Sequence, residues 1–107
     1  MDVLERIKQQ IEENPVLLYM KGTPSFPQCG FSGRAVQVLQ ACDVEFGYVN
    51  IFEDTEIREN LKRYSNWPTF PQLYINGQLI GGSDIILELY ETGELQKILP
   101  REAREPN

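Results

Sequence analysis

The sequence predicts an α/β domain with three layers: a small mixed four-stranded sheet with helices on both faces. Three observations predict it. The chain has 107 residues, which suits one compact domain that buries roughly two-thirds of its unfolded surface. Hydrophobic periodicity alternates between helical and strand patterns in the order α-β-α-β-α-β-β-α. The last two strands flank Asn76-Gly77, a strong hairpin signal.

Taken in order, Leu4, Ile7 and Ile11 sit at helical spacing, and Asn14-Pro15 ends that helix. Val16 to Met20 is a short continuous apolar run, as expected of a strand buried on both faces. A Gly/Pro-rich loop ends at Cys29, and Ala35, Val38, Leu39 and Cys42 then mark one face of a second helix. Phe46 to Phe52 is rich in aromatic and β-branched residues and predicts a second strand. Strands one and two, joined by a helix, are expected to be parallel. Asp54 is placed to cap a helix whose apolar face is Ile57, Leu61 and Tyr64. Leu73 to Ile75 and Gln78 to Ile80 form the hairpin. Ser83 or Asp84 is expected to cap a helix through Ile86, Leu89 and Tyr90, and Leu95 to Leu99 forms a further short turn. Residues 101–107, REAREPN, are expected to fray from the single domain spanning 1–107.

The totals exclude several functions. Ten basic against sixteen acidic residues give a net charge of −6, so nucleic acid is not an expected partner. No apolar run approaches the roughly 18 residues of a membrane span. The stretch MDVLERIKQQIEENP is polar and acidic, without the apolar core of a signal peptide or the character of a transit peptide. The expected compartment is the cytoplasm. There is no histidine, which removes Cys–His nucleophilic catalysis and Cys/His zinc sites.

Two cysteines, Cys29 and Cys42, make no disulfide scaffold. Cys29 lies at the carboxyl end of the first strand, just before a helix, where ligand sites of α/β sheets concentrate. The helix N-terminus and nearby Lys21 favour its thiolate. Three positions on, where a dithiol redox enzyme has its second cysteine, stands Ser32. Cys42 lies in register with the apolar face of its helix and is expected in the core. A continuous helix separates the two sulfurs by roughly 20 Å, at about 1.5 Å per residue.

Trp67-Pro68 and Phe70-Pro71 precede the hairpin. A cis bond at Phe70-Pro71 would present backbone N–H and C=O groups to an extended peptide. The N–H groups of Ser83 and Asp84 suit a carboxylate and the Asp84 side chain an ammonium. Lys21 and Arg58 suit a second carboxylate.

Jointly, KGTP…P-x-CGFS at Lys21 to Ser32, SNWPTFPQLYING at Ser65 to Gly77 and GGSDI at Gly81 to Ile85 resemble the CGFS-type monothiol glutaredoxins of the short bacterial kind. The resemblance implies a thioredoxin-like fold with Pro71 as the cis-proline, and a glutathione site. By position, Lys21 and Arg58 would hold the glycine carboxylate of glutathione, and the Phe70 backbone its cysteine portion. Ser83 and Asp84 would hold its γ-glutamyl end, and Cys29 would meet its sulfur. The family often has cysteine where this chain has Ser83, which keeps the backbone donor and loses any redox role there.

A [2Fe–2S] cluster usually needs four thiolate-type ligands. This chain offers one at the site, so two chains and two glutathiones would complete the set. The expected holo form is a glutathione-bridged homodimer that carries the cluster to apo iron–sulfur proteins. The resemblance also implies BolA-like partners. The competing reading is a glutathione-dependent thiol–disulfide oxidoreductase acting through Cys29. Against it stands the loop TPSFPQ, which the family carries as an insertion relative to dithiol glutaredoxins.

Overall fold

A computed structural model describes residues 2–100; the fraying expected of 101–107 lies outside the described residues. The elements are α1 (Val3–Glu13), β1 (Val16–Met20), α2 (Gly30–Ala41), β2 (Gly47–Asn50), α3 (Thr55–Ser65), β3 (Gln72–Ile75), β4 (Gln78–Gly81), α4 (Ser83–Thr92) and α5 (Glu94–Ile98). One sheet runs β2-β1-β3-β4. β2 is parallel to β1, whereas β3 and β4 are antiparallel to their neighbours.

All five residues of β1 are buried, because helices cover both sides of the sheet. Leu17 and Tyr19 pack with Ile7 and Ile11 of α1 and Ile57 and Leu61 of α3. Val16, Leu18 and Met20 face the opposite layer, with Val38 and Leu39 of α2, Ile86 of α4 and Leu95 of α5. Burying each such aliphatic side chain contributes roughly 1.5–3 kcal/mol.

Local chemistry sets the element ends. Asp2 caps α1 by accepting from the Glu5 N–H, and Asp54 caps α3 by accepting from the Ile57 N–H. Asp54 also pairs with Arg6 of α1, tying two helices of one layer together. Asn76 and Gly77 both have positive φ, as the tight hairpin turn requires.

Three expectations are corrected. β2 covers Gly47–Asn50 rather than Phe46 to Phe52: beyond Asn50 the chain turns, and the Asn50 side chain accepts from the Phe52 N–H. Leu4 and Tyr64 are exposed although they follow the helical period, because the apolar stripe narrows at the helix ends. The cap of α4 is Gly82, not Ser83 or Asp84. A Cβ at 82 would lie 3.3 Å from the Pro71 carbonyl oxygen, so glycine eases a close approach between the helix start and the wall.

Candidate functional site

The carboxyl end of β1 leads into Lys21 and Gly22, and the loop that follows is well anchored. Gly22 has φ +94°, and a Cβ there would meet the Phe26 carbonyl oxygen at 2.5 Å, so only glycine fits. The Gln28 N–H donates to the Lys21 carbonyl (2.8 Å), and Thr23 and Phe26 exchange backbone hydrogen bonds. The Gly22 N–H donates to Asn50 Oδ1 (3.0 Å), which fixes the loop to the end of β2.

This loop delivers Cys29 to the N-cap of α2, partly exposed. Its sulfur lies outside full capping geometry, yet its pKa is lowered from the ordinary thiol value. The Ser32 N–H is the main cause; the Phe31 N–H, the charge of Lys21 and the Ser32 hydroxyl add to it, against an opposing effect of partial burial. Ser32 is itself fully buried, and its Oγ accepts from the Lys21 N–H at 3.1 Å.

Beside Cys29 opens a cavity of about 500 Å³. One wall is α3, which contributes Arg58 and Lys62 one turn apart; another is the segment from Trp67 to Pro71. The far end is the first turn of α4, with Gly82, Ser83 and Asp84. The Phe70-Pro71 bond is cis, as expected. Behind it the fully buried Gln72 amide donates to the carbonyls of Trp67 (3.1 Å) and Thr69 (3.2 Å), while its oxygen accepts from the Tyr74 hydroxyl (3.3 Å). That clamp fixes the wall to β3. The Arg58 guanidinium stacks over the Phe52 ring, 5.6 Å from its centroid, which restrains it at the cavity edge.

All seven residues singled out in the sequence (Lys21, Cys29, Arg58, Phe70, Pro71, Ser83 and Asp84) line this one cavity. Cys42 stands at the other end of α2, packed against the core, and both cysteines are thiols. Sequence reasoning missed Lys62 and the part played by Trp67. Lys62 lies four residues after Arg58, a spacing that puts both on one helix face. Trp67 carried no comparable signal; tertiary packing alone turns it inward. The lining thus holds three cations, Lys21, Arg58 and Lys62, against one acid, Asp84. In a chain of net charge −6 this is a local reversal of sign, and it suits an anionic ligand.

The Glutaredoxin family profile matches residues 16–80. The chain belongs to the glutaredoxin family. Among curated relatives, Glutaredoxin 4 of Pasteurella multocida is 59% identical over 99 residues, covering 92% of this chain and 91% of the relative. Among solved structures, reduced apo GrxS14 of poplar is 48% identical with a TM-score of 0.78, over 89% of this chain and 87% of the other. A buckwheat glutaredoxin–glutathione complex superposes with a TM-score of 0.84 at 21% identity, over 96% and 93% of the two chains. At that identity the likeness speaks to the fold alone. This glutaredoxin therefore has the thioredoxin-like fold expected from its sequence. With one cysteine at the cavity and serine three residues on, it is a monothiol member. No described helix is long and apolar enough to cross a membrane.

Proposed function

We propose that this glutaredoxin binds glutathione along the cavity and, as a glutathione-bridged homodimer, carries a [2Fe–2S] cluster to apo iron–sulfur proteins in the cytoplasm. One observation carries the reading: a single activated thiol at the edge of a cationic cavity with a free helix N-terminus at its far end. Lys21 and Arg58 take the glycine carboxylate of glutathione. The Phe70 backbone, beside Pro71, pairs with its cysteine portion. Ser83 and Asp84 take the γ-glutamyl end, and its sulfur comes to lie by Cys29.

The cluster is cargo, and the donor set fits it. Cys29 is accessible and biased toward the thiolate that iron requires. Among the described residues no three His, Cys, Asp or Glu side chains converge into a metal site. Four sulfur ligands then come from Cys29 of each of two chains and from two glutathiones. Two ligands that can dissociate suit delivery rather than storage. A BolA-like protein can replace one subunit by bringing ligands of its own.

The lowered Cys29 pKa also favours a second reading, glutathione-dependent thiol–disulfide exchange. Cys29 thiolate would attack a glutathione mixed disulfide, take up glutathione as a Cys29–glutathione disulfide and release the other thiol. A second glutathione would then leave as oxidised glutathione and return the thiolate. Anaerobic loading separates the two readings. Wild type and Cys29→Ser are loaded with and without glutathione and run on a sizing column. In a carrier the colour travels with a dimer and requires both Cys29 and glutathione. A colourless monomer that turns over mixed disulfides makes the protein a reductase.

A further inference from the structure

Lys21 and Arg58 line one cavity but sit on segments that part where β1 and β2 end. Met20 and Asn50 are the last paired residues of the two strands, and the Ile51 N–H still donates to the Met20 carbonyl at 3.0 Å. From there one segment enters the loop that delivers Cys29, and the other turns into α3. A single side-chain atom spans this fork. Asn50 Oδ1 accepts from the Gly22 N–H at 3.0 Å and from the Phe52 N–H at 3.0 Å. An amide oxygen has two acceptor sites, and here they serve the two branches. Gly22 directly follows Lys21, and the Phe52 ring lies under the Arg58 guanidinium, 5.6 Å from its centroid. A side chain that merely closed the turn after β2 would need only the bond to Phe52, two residues on. The bond to Gly22 reaches back 28 residues and does nothing for that turn.

We propose that Asn50 is a positioning residue: its amide oxygen sets the spacing of Lys21 and Arg58, and so fixes how well the pair grips one carboxylate. Asn50 is not among the residues that line the cavity, and it acts through the two segments it joins. The inference rests on the glutathione reading above, which gives the glycine carboxylate to those two cations, and deepens it. A carboxylate shared by two cations needs both within hydrogen-bond reach at once, and such bonds weaken steeply as distance and angle drift. The Lys21 backbone is already held on its own side, by Ser32 Oγ on its N–H and by the Gln28 N–H on its carbonyl. The Asn50 oxygen links that fixed unit to the Phe52–Arg58 pair across the fork.

Calorimetry with two ligands tests this: glutathione, and its glycine amide, γ-Glu-Cys-Gly-NH2, which lacks only the glycine carboxylate. Asn50→Ala, Asn50→Ser and Asn50→Asp are compared with wild type, each checked by its melting curve. Wild type is expected to bind the amide about tenfold more weakly than glutathione, the size of a hydrogen bond to a charged group. Asn50→Ala should weaken glutathione about fivefold, the size of one net hydrogen bond, and leave the amide unchanged. Asn50→Ser keeps an acceptor for the local turn but is too short to reach Gly22 as well, so it should show the same selective loss. Asn50→Asp keeps the acceptor oxygen and should recover most of the glutathione affinity. Should Asn50→Ala fail to fold, Asn50→Ser and Asn50→Asp decide. A purely structural residue would lower the melting temperature and weaken both ligands alike or neither. Folded Asn50→Ala or Asn50→Ser that binds glutathione like wild type, or loses both ligands equally, overturns the inference and spares the glutathione reading. Wild type that binds both ligands equally overturns the inference together with the carboxylate assignment to Lys21 and Arg58. Wild type that binds neither overturns the glutathione reading as well.

Discussion

The Ser32 hydroxyl accepts a hydrogen bond from the backbone N–H of Lys21 at 3.1 Å. That contact joins the first turn of α2 to the end of β1, with Cys29 between them. It gives a physical reason for serine at the position where a dithiol enzyme has its second cysteine. The residue is fully buried, and a hydroxyl accepts a hydrogen bond there better than a thiol can.

Removing that hydroxyl has two expected effects. Ser32→Ala leaves the Lys21 N–H without its partner and costs about 1–3 kcal/mol, measured by chemical denaturation. It also moves the Cys29 pKa up toward the ordinary thiol value, since one group favouring the thiolate is lost. The folded thiol now has the depressed pKa. Thiolate therefore persists to lower pH in the folded chain than in the unfolded one. This coupling stabilises the fold above the ordinary thiol pKa and disappears as pH falls through the depressed value. Alkylation rates of Cys29 followed against pH should show a midpoint below that of a denatured control, and Ser32→Ala should narrow the gap.

Lys21 and Arg58 stand at the same cavity. Lys21→Ala and Arg58→Ala should each weaken glutathione about tenfold or more, the size of a charge-assisted hydrogen bond. Added salt should weaken wild type more than either variant. Phe52→Ala, which removes the ring under the Arg58 guanidinium, should reproduce part of the Arg58 effect without touching the ligand.

Cys42 closes α2 against the core and lies far from the cavity. Cys42→Ser should leave cluster absorption and circular dichroism unchanged and lower stability by roughly 1 kcal/mol, from the polar atom set against apolar neighbours. A folded Cys42→Ser protein without the cluster would reassign the residue to the site.

Asp54 both caps α3 and pairs with Arg6. Asp54→Ala should cost about 0.5–2 kcal/mol, read from denaturant midpoints. Because α3 carries Arg58 and Lys62, the same variant should bind glutathione somewhat less tightly. Asp54→Asn, which keeps a capping oxygen, should restore most of both.

What was legible in the sequence was set by local rules. Asn76-Gly77 named its turn because both residues tolerate positive φ. Asp54 named a helix start because its carboxylate reaches the third N–H after it. The alternation of Leu17 and Tyr19 with Leu18 and Met20 was hidden inside one apolar run, since both faces of β1 are covered. The cap of α4 was misplaced because the decisive contact, Gly82 against the Pro71 carbonyl, is tertiary. The same holds for Trp67, which only tertiary packing brings to the cavity, whereas Lys62 was within reach of the helical spacing from Arg58. Motif resemblance located seven lining residues, whereas their convergence on one cavity emerged only from the packed structure.

The central claim is that two chains share one cluster through Cys29 and glutathione. The most direct measurement is the iron, sulfide and glutathione content per dimer of anaerobically reconstituted, purified protein. The expected result is two of each, with none retained by Cys29→Ser. A coloured monomer, or a coloured dimer without glutathione, would contradict the claim.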